Sequence, residues 1–262
     1  MNNVHGFQIQ DWQLFFTEFK RHNSKTLHPK GWELFFTEFK RYYIPNDLPP
    51  QAYFPDISAA KIFFQQFQTI YDDFEKSGGT IDVWEVADIG KDELRNSAIL
   101  GWLLDCYGSH GQGSAFLRKL LEQCGDGSLA STCAHGYRTT VEESYDEFDT
   151  GSRKQRSRVD VVLDGAAFLL LIEVKVRSRE TDNQLERYLR IGRARAGVRP
   201  WRLVYLTVDG RQPSDPGLKD KDKIDCVSWH KLGRAFLRHV DSMPDSFGAV
   251  IIRQFCEHII NL

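Results

Sequence analysis

From Ser157 to Tyr188 the chain reads SRVDVVLDGAAFLLLIEVKVRSRETDNQLERY. Two apolar, β-prone runs, Val159–Leu163 and Phe168–Val176, flank Asp164-Gly165. That dipeptide is a strong turn signal between strands, so the runs read as a hairpin. Asp160 stands in the first run; Glu173 and Lys175 stand in the second. Residues two apart on a strand share a face, so Glu173 and Lys175 project together. A carboxylate and an ammonium on a buried strand are costly unless paired or bound to a cation. An aspartate facing the same way from the neighbouring strand completes a site for a hard divalent cation. The other reading is a buried Glu–Lys pair without metal, which leaves Asp160 and Gln184 unexplained.

Downstream, Glu180–Ala196 reads as a helix, with Gln184 and Tyr188 one turn apart on one face. Arg187, Arg190, Arg193 and Arg195 follow on it, with Arg199 and Arg202 beyond. Trp201–Val208 reads as a buried strand, Lys219–Lys223 as a solvated loop and Ile224–Trp229 as an edge strand. Lys231–Val240 and Gly248–Leu262 have amphipathic helical patterns. Upstream, Tyr137–Tyr145 alternates as a strand, and the polar stretch Asp146–Arg156 reads as a hairpin loop. Lys91–Asp105 predicts a helix that turns Leu94, Ala98, Leu100–Trp102 and Leu104 inward. A glycine-rich turn, Cys106–Gly113, leads to a short helix over Ser114–Gln123. His110 in that turn has two readings: a metal ligand, which only the family resemblance given below implies, or a side chain bonded to nearby backbone.

Residues 1–78 are expected to be a helical region and 79–262 an α/β domain. The first contains a duplication: Trp12-Gln13-Leu14-Phe15-Phe16-Thr17-Glu18-Phe19-Lys20-Arg21 recurs from Trp32 with only Gln13 changed, to Glu33. Trp12, Phe15, Phe16 and Phe19 fall at i, i+3, i+4, i+7, the stripe of an amphipathic helix. The copies are read as core helices or as an aromatic face for a second subunit or a partner protein. The prolines between Ile44 and Pro55 make a loop. Ile57–Glu75 follows as a long helix, and Ser77-Gly78-Gly79-Thr80 ends it.

Composition bounds the function. A hydrophobic fraction of 41% and a charged fraction of 27% describe an ordinary globular chain. No apolar run approaches the ~20 residues that cross a membrane. The N-terminal MNNVHGFQ lacks a secretory pattern, so a cytoplasmic location without membrane contact is expected. The formal net charge of −2 gives nucleic-acid binding no global support, so it must rest on local basic patches. The five cysteines are scattered without a C-x-x-C pair, which fits reduced thiols rather than zinc, an iron–sulfur cluster or a disulfide framework.

Asp160 followed by Glu173-Val174-Lys175 resembles the D…(D/E)-x-K signature of the PD-(D/E)XK nuclease superfamily. Gln184-Leu185-Glu186-Arg187-Tyr188 resembles the Q-x-x-x-Y motif of its RecB-like branch. Val159 stands where the family's name has proline. The segment from Glu93 to Gly113 is similar to the first-helix region of a bacterial branch linked to phage defence and mobile elements. Together the likeness covers roughly residues 90–210. It implies a restriction-endonuclease-like αβββαβ core with a mixed central sheet, preceded here by a helical extension. It also implies that Glu93 points into the site and helps to hold metal or its water. The alternative for Glu93 is a solvated residue favoured by the helix dipole. Gln184 is expected to face the site, and Tyr188 to pack against it or against DNA.

Phosphodiester hydrolysis needs an activated water, a Lewis acid on the phosphate and charge stabilisation. Mg²⁺, or Mn²⁺ in its place, takes oxygen ligands, which Asp160, Glu173 and the Val174 carbonyl supply. Lys175 can orient the water, act as a base once its pKa is lowered, or neutralise developing charge. Arg187, Arg190 and Arg193 suit contacts to the phosphate backbone. The reading is a metal-dependent nuclease with DNA the preferred substrate. Its rivals are a ribonuclease, and a nuclease-like binding module docking through the aromatic repeat.

Overall fold

A computed structural model of the chain describes residues 72–73, 75–125, 129, 133, 136–148, 154–178, 183–214 and 218–262. Residues Asp82–Leu262 form one compact unit. The duplicated segment and the proline-rich stretch lie outside the described residues. Of the helix expected over Ile57–Glu75, only the last turn falls within them.

The order of elements is α1 (Val83–Val86), α2 (Glu93–Leu104), α3 (Ala115–Leu121), β1 (Tyr137–Phe148), β2 (Lys154–Gly165), β3 (Leu169–Val174), α4 (Gln184–Ala196), β4 (Trp201–Thr207), β5 (Ile224–Ser228), α5 (Trp229–Val240) and α6 (Phe247–Ile260). The strands form one sheet in the order β1-β2-β3-β4-β5. The first three are antiparallel neighbours; β4 runs parallel to β3, and β5 parallel to β4. This is the mixed α/β core with αβββαβ order that the sequence predicts. β3 is buried along its whole length, which explains its unbroken apolar run.

Apolar residues cover both faces of the sheet. On one, Leu100, Phe116, Phe236 and Phe255 of α2, α3, α5 and α6 share a core with Val161, Leu170, Ile172 and Leu206. On the other, Leu185, Tyr188 and Leu189 of α4 pack with Val162, Leu171, Leu203 and Tyr205. Gly101 lets α2 lie close to β1, because a Cβ there would sit 2.5 Å from Val141 Cγ2.

Three local expectations are corrected. The hairpin tip is Ala166-Ala167, not Asp164-Gly165: the Gly165 and Phe168 amides each donate to the other's carbonyl, and Asp164 pairs with Leu169 inside the ladder. Gly165 leaves the space that Phe168 and Tyr137 use, since a Cβ there would come within 3.1 Å of Phe168 and 3.2 Å of Tyr137 and make them shift. β1 and β2 also run further than expected, to Phe148 and from Lys154, because their pairing continues through the polar stretch. Finally, α2 is phased differently. Leu94 is 52% exposed and Ala98 is exposed, while Asn96, Ser97, Leu100, Gly101, Leu103 and Leu104 are buried. The inner face therefore runs Glu93, Ser97, Leu100, Leu104. The buried polar pair is satisfied: Asn96 donates to the carbonyls of Gly90 and Asp92, and Ser97 to that of Glu93.

Candidate active site

Asp160 sits where the sheet comes apart. The β2–β3 ladder ends at Val161–Ile172. In place of the next rung, the Val174 amide donates to Asp160 Oδ2 at 2.7 Å. The β1–β2 ladder skips a single position, the one where Glu142 faces Asp160. Glu173 holds the end of β3 beside Tyr205 of β4, and the Lys175 amide donates to the Leu206 carbonyl. β4 thus fixes the backbone on both sides of the motif.

Glu173 is 1% exposed and Lys175 is 6% exposed, with Lys175 Nζ 2.6 Å from Glu173 Oε1. The other oxygen, Glu173 Oε2, is buried without a hydrogen-bond partner. The Asp160 carboxylate lies within reach of Glu173. Burial, and then the facing Asp160 charge, push Glu173 up to about 8. Burial also raises Asp160, against the pull of the Val174 amide and Lys175. For Lys175 burial opposes the charge, but Glu173, Asp160 and Glu93 outweigh it and hold the ammonium above its ordinary value. Two crowded carboxylates with an unused buried oxygen are a donor set that fits a hard cation. Among the described residues no three His, Cys, Asp or Glu side chains form a metal-binding group. The other positions around such an ion would fall to backbone oxygen, water and substrate, the usual company of Mg²⁺.

Glu93, the first residue of α2, reaches the segment that leaves β3. Its Oε1 accepts from the amides of Val176, Arg177 and Ser178 at 2.7, 2.9 and 2.8 Å, and its Oε2 from the Ser178 hydroxyl at 2.7 Å. Burial works against the charge, yet these donors outweigh it and hold the carboxyl below its ordinary value. Glu93 is therefore beside the site, but the carboxylate that the sequence reading expects to help hold metal or its water is engaged in clamping the strand exit. A groove of about 490 Å³ opens there, lined among others by Glu93, Leu94, Glu142, Arg158, Asp160 and Arg177.

Glu142 and Arg158 were not singled out by their sequence pattern. Glu142 has φ +58° in the middle of β1, a left-handed conformation that costs a non-glycine residue roughly 1–2 kcal/mol. Its carboxylate lies 2.7 Å from Arg158 Nη1. Only the alternation around Asp160 held a signal: Arg158 is two residues from it on the same strand.

Gln184 donates to the Tyr188 hydroxyl at 2.9 Å, and that hydroxyl donates to the Arg158 carbonyl at 2.5 Å. Tyr188 is 2% exposed and lies against Glu173 and Asp160, so it packs against the site, as one of its two readings expects, and offers no surface to nucleic acid. The arginines scatter. Arg187 donates to Ser157 Oγ at 3.2 Å, Arg190 pairs with Glu186, and Arg193 pairs with Asp220. Arg195 and Arg199 both bind Asp164, and Arg202 binds the buried Asp225. His110 accepts from the Gln112 amide at Nδ1, so Nε2 carries the proton given to the Asp105 carbonyl. Both ring nitrogens are thereby used on backbone, the second of its two readings.

A mixed sheet that parts at an aspartate, with a buried Glu–Lys pair on the next strand and a groove above, has the form of a phosphodiester-cleaving fold. The family model of the PD-(D/E)XK nuclease superfamily matches residues 81–257, and the chain belongs to that superfamily. No curated protein and no solved structure matches it. No described helix is long and apolar enough to cross a membrane.

Proposed function

We propose that this nuclease-family chain is a divalent-metal-dependent deoxyribonuclease of the RecB-like branch. The observation that carries the metal reading is the unpartnered Glu173 Oε2 beside Asp160. Asp160, Glu173 and the Val174 carbonyl would hold Mg²⁺ or Mn²⁺. When bound, the cation polarises the phosphoryl oxygen and eases deprotonation of the attacking water. Lys175, held as an ammonium, supplies positive charge where the phosphate becomes more negative. Glu93 acts through backbone, keeping the segment after Lys175 in place. Gln184 and Tyr188 brace the β2 carbonyl of Arg158 and so the strand that carries Asp160. A role in phage defence or mobile elements rests on the likeness of the Glu93–Gly113 segment to that bacterial branch.

The test is cleavage of linear, circular and single-stranded DNA and of RNA, with Mg²⁺ or Mn²⁺, beside a Lys175→Ala control. DNA cleavage abolished by EDTA and by Lys175→Ala is the expected result. RNA as the sole substrate reassigns the chain to the ribonuclease reading. Full activity in excess EDTA removes the metal.

A further inference from the structure

The groove above Asp160 has an arginine whose placement the motif residues do not account for. Arg158 and Asp160 are two apart on β2 and both line the groove. Arg158 has its side chain 60% exposed, and one guanidinium nitrogen, Nη1, meets Glu142 Oε2 at 2.7 Å. A guanidinium carries five N–H donors in a planar fork, so this contact leaves donors for a second anion. Glu142 itself is held in a left-handed backbone conformation opposite Asp160, at the position where the β1–β2 ladder is skipped. Such conformations persist where the surrounding structure imposes them, and they cluster at functional sites. An exposed ion pair is too weak to explain one by itself.

We infer that Arg158 contacts the phosphate of the nucleic acid next to the reacting centre, and that Glu142 is a positioning residue that aims its guanidinium. The inference rests on the nuclease reading and names a substrate contact within it. The other arginines near the helix are poorer candidates: Arg193, Arg195, Arg199 and Arg202 are paired with carboxylates of the domain itself. Arg158 is also paired, but to a residue that lines the same groove. Its partner holds it at the site, where theirs hold them to Asp220, Asp164 and Asp225.

The experiment uses the full chain, a labelled double-stranded DNA oligonucleotide and two readouts. Binding is followed by fluorescence anisotropy in EDTA across a salt series; cleavage is followed with Mg²⁺ or Mn²⁺. Arg158→Gln is expected to reduce the slope of log affinity against log salt by about one, the loss of one phosphate contact. It should also lower kcat by about a hundredfold. Arg158→Lys, which keeps the charge and loses the fork, should retain the slope and recover only part of kcat. Glu142→Asn tolerates the left-handed backbone and removes the charge. It is expected to keep the melting temperature while lowering kcat by about tenfold. A wild-type protein that cleaves, with the slope and kcat unchanged in Arg158→Gln, overturns the Arg158 assignment alone. A lower melting temperature in Glu142→Asn with wild-type kcat makes Glu142 structural and overturns its positioning role. A wild-type protein that neither binds nor cleaves the DNA overturns this inference together with the deoxyribonuclease reading on which it rests.

Discussion

At the scale of single residues, the site is a set of charges held in unfavourable proximity. Asp160 and Glu173 crowd each other in a buried setting, and Lys175 relieves only one of the oxygens. Groups that serve a reaction often weaken the fold that carries them. Asp160→Asn keeps an acceptor for the Val174 amide and removes one of the crowded charges. It is expected to leave the melting temperature at pH 7 equal or higher, and to lower cleavage by about a hundredfold or more. Thermal melts and cleavage on the same preparation check both halves. Glu93 behaves oppositely, because its charge is stabilised by the amides it accepts from. Its folded pKa lies below its ordinary 4.5. The unfolded chain therefore takes up the proton first, and the stability that Glu93 contributes is present above about 4.5 and lost as pH falls through the folded value. Glu93→Gln should show a shallower loss of stability over that acid window than wild type, read from urea midpoints between pH 6 and 3. Equal slopes would mean that the amide clamp does not stabilise the charged form.

Among the elements, α2 shows where a sequence pattern misleads. Leu94 and Ala98 suit an inward stripe, but the helix is rotated so that Glu93 meets the exit of β3 and Leu94 faces the groove. A polar residue that must reach a distant backbone segment sets the phase, and hydrophobic periodicity is blind to that constraint. Leu94→Ser should change stability by less than about 0.5 kcal/mol, whereas Leu104→Ala should cost about 2–5 kcal/mol. Urea denaturation of Leu94→Ser separates the two phases, with Leu104→Ala, buried in both, as the reference. β3 was legible because a strand covered on both faces must be apolar throughout, and Glu173 then stands out as an exception with a purpose. Asp160 was legible through its spacing from Glu173. Glu142 was not, since its backbone angle leaves no trace in a stretch that alternates like any strand. The arginines were legible as a group and not one by one, because the carboxylates that claim them, Asp164, Asp220 and Asp225, come from other parts of the chain.

For the whole molecule, the proposed boundary near residue 78 carries a direct expectation. A fragment of residues 79–262 should melt in a single cooperative transition and cleave as the full chain does. A fragment that aggregates or fails to fold would place part of residues 1–78 in the same folding unit. Within the compact unit the site is assembled from distant parts: the Glu93 clamp on Ser178 joins residues 85 positions apart, and β3 is completed only by β4. A chain leaving the ribosome at about 5–20 residues per second exposes Ser178 some 4–17 s, roughly, after Glu93. Translation-arrested chains that end before Trp201 are expected to be inert, and cleavage by them would show that the motif needs neither flank. Because the Glu–Lys motif lacks its fixing strand until β4 has followed, a half-made polypeptide has no assembled centre, and the cell meets the proposed activity only when synthesis is nearly finished.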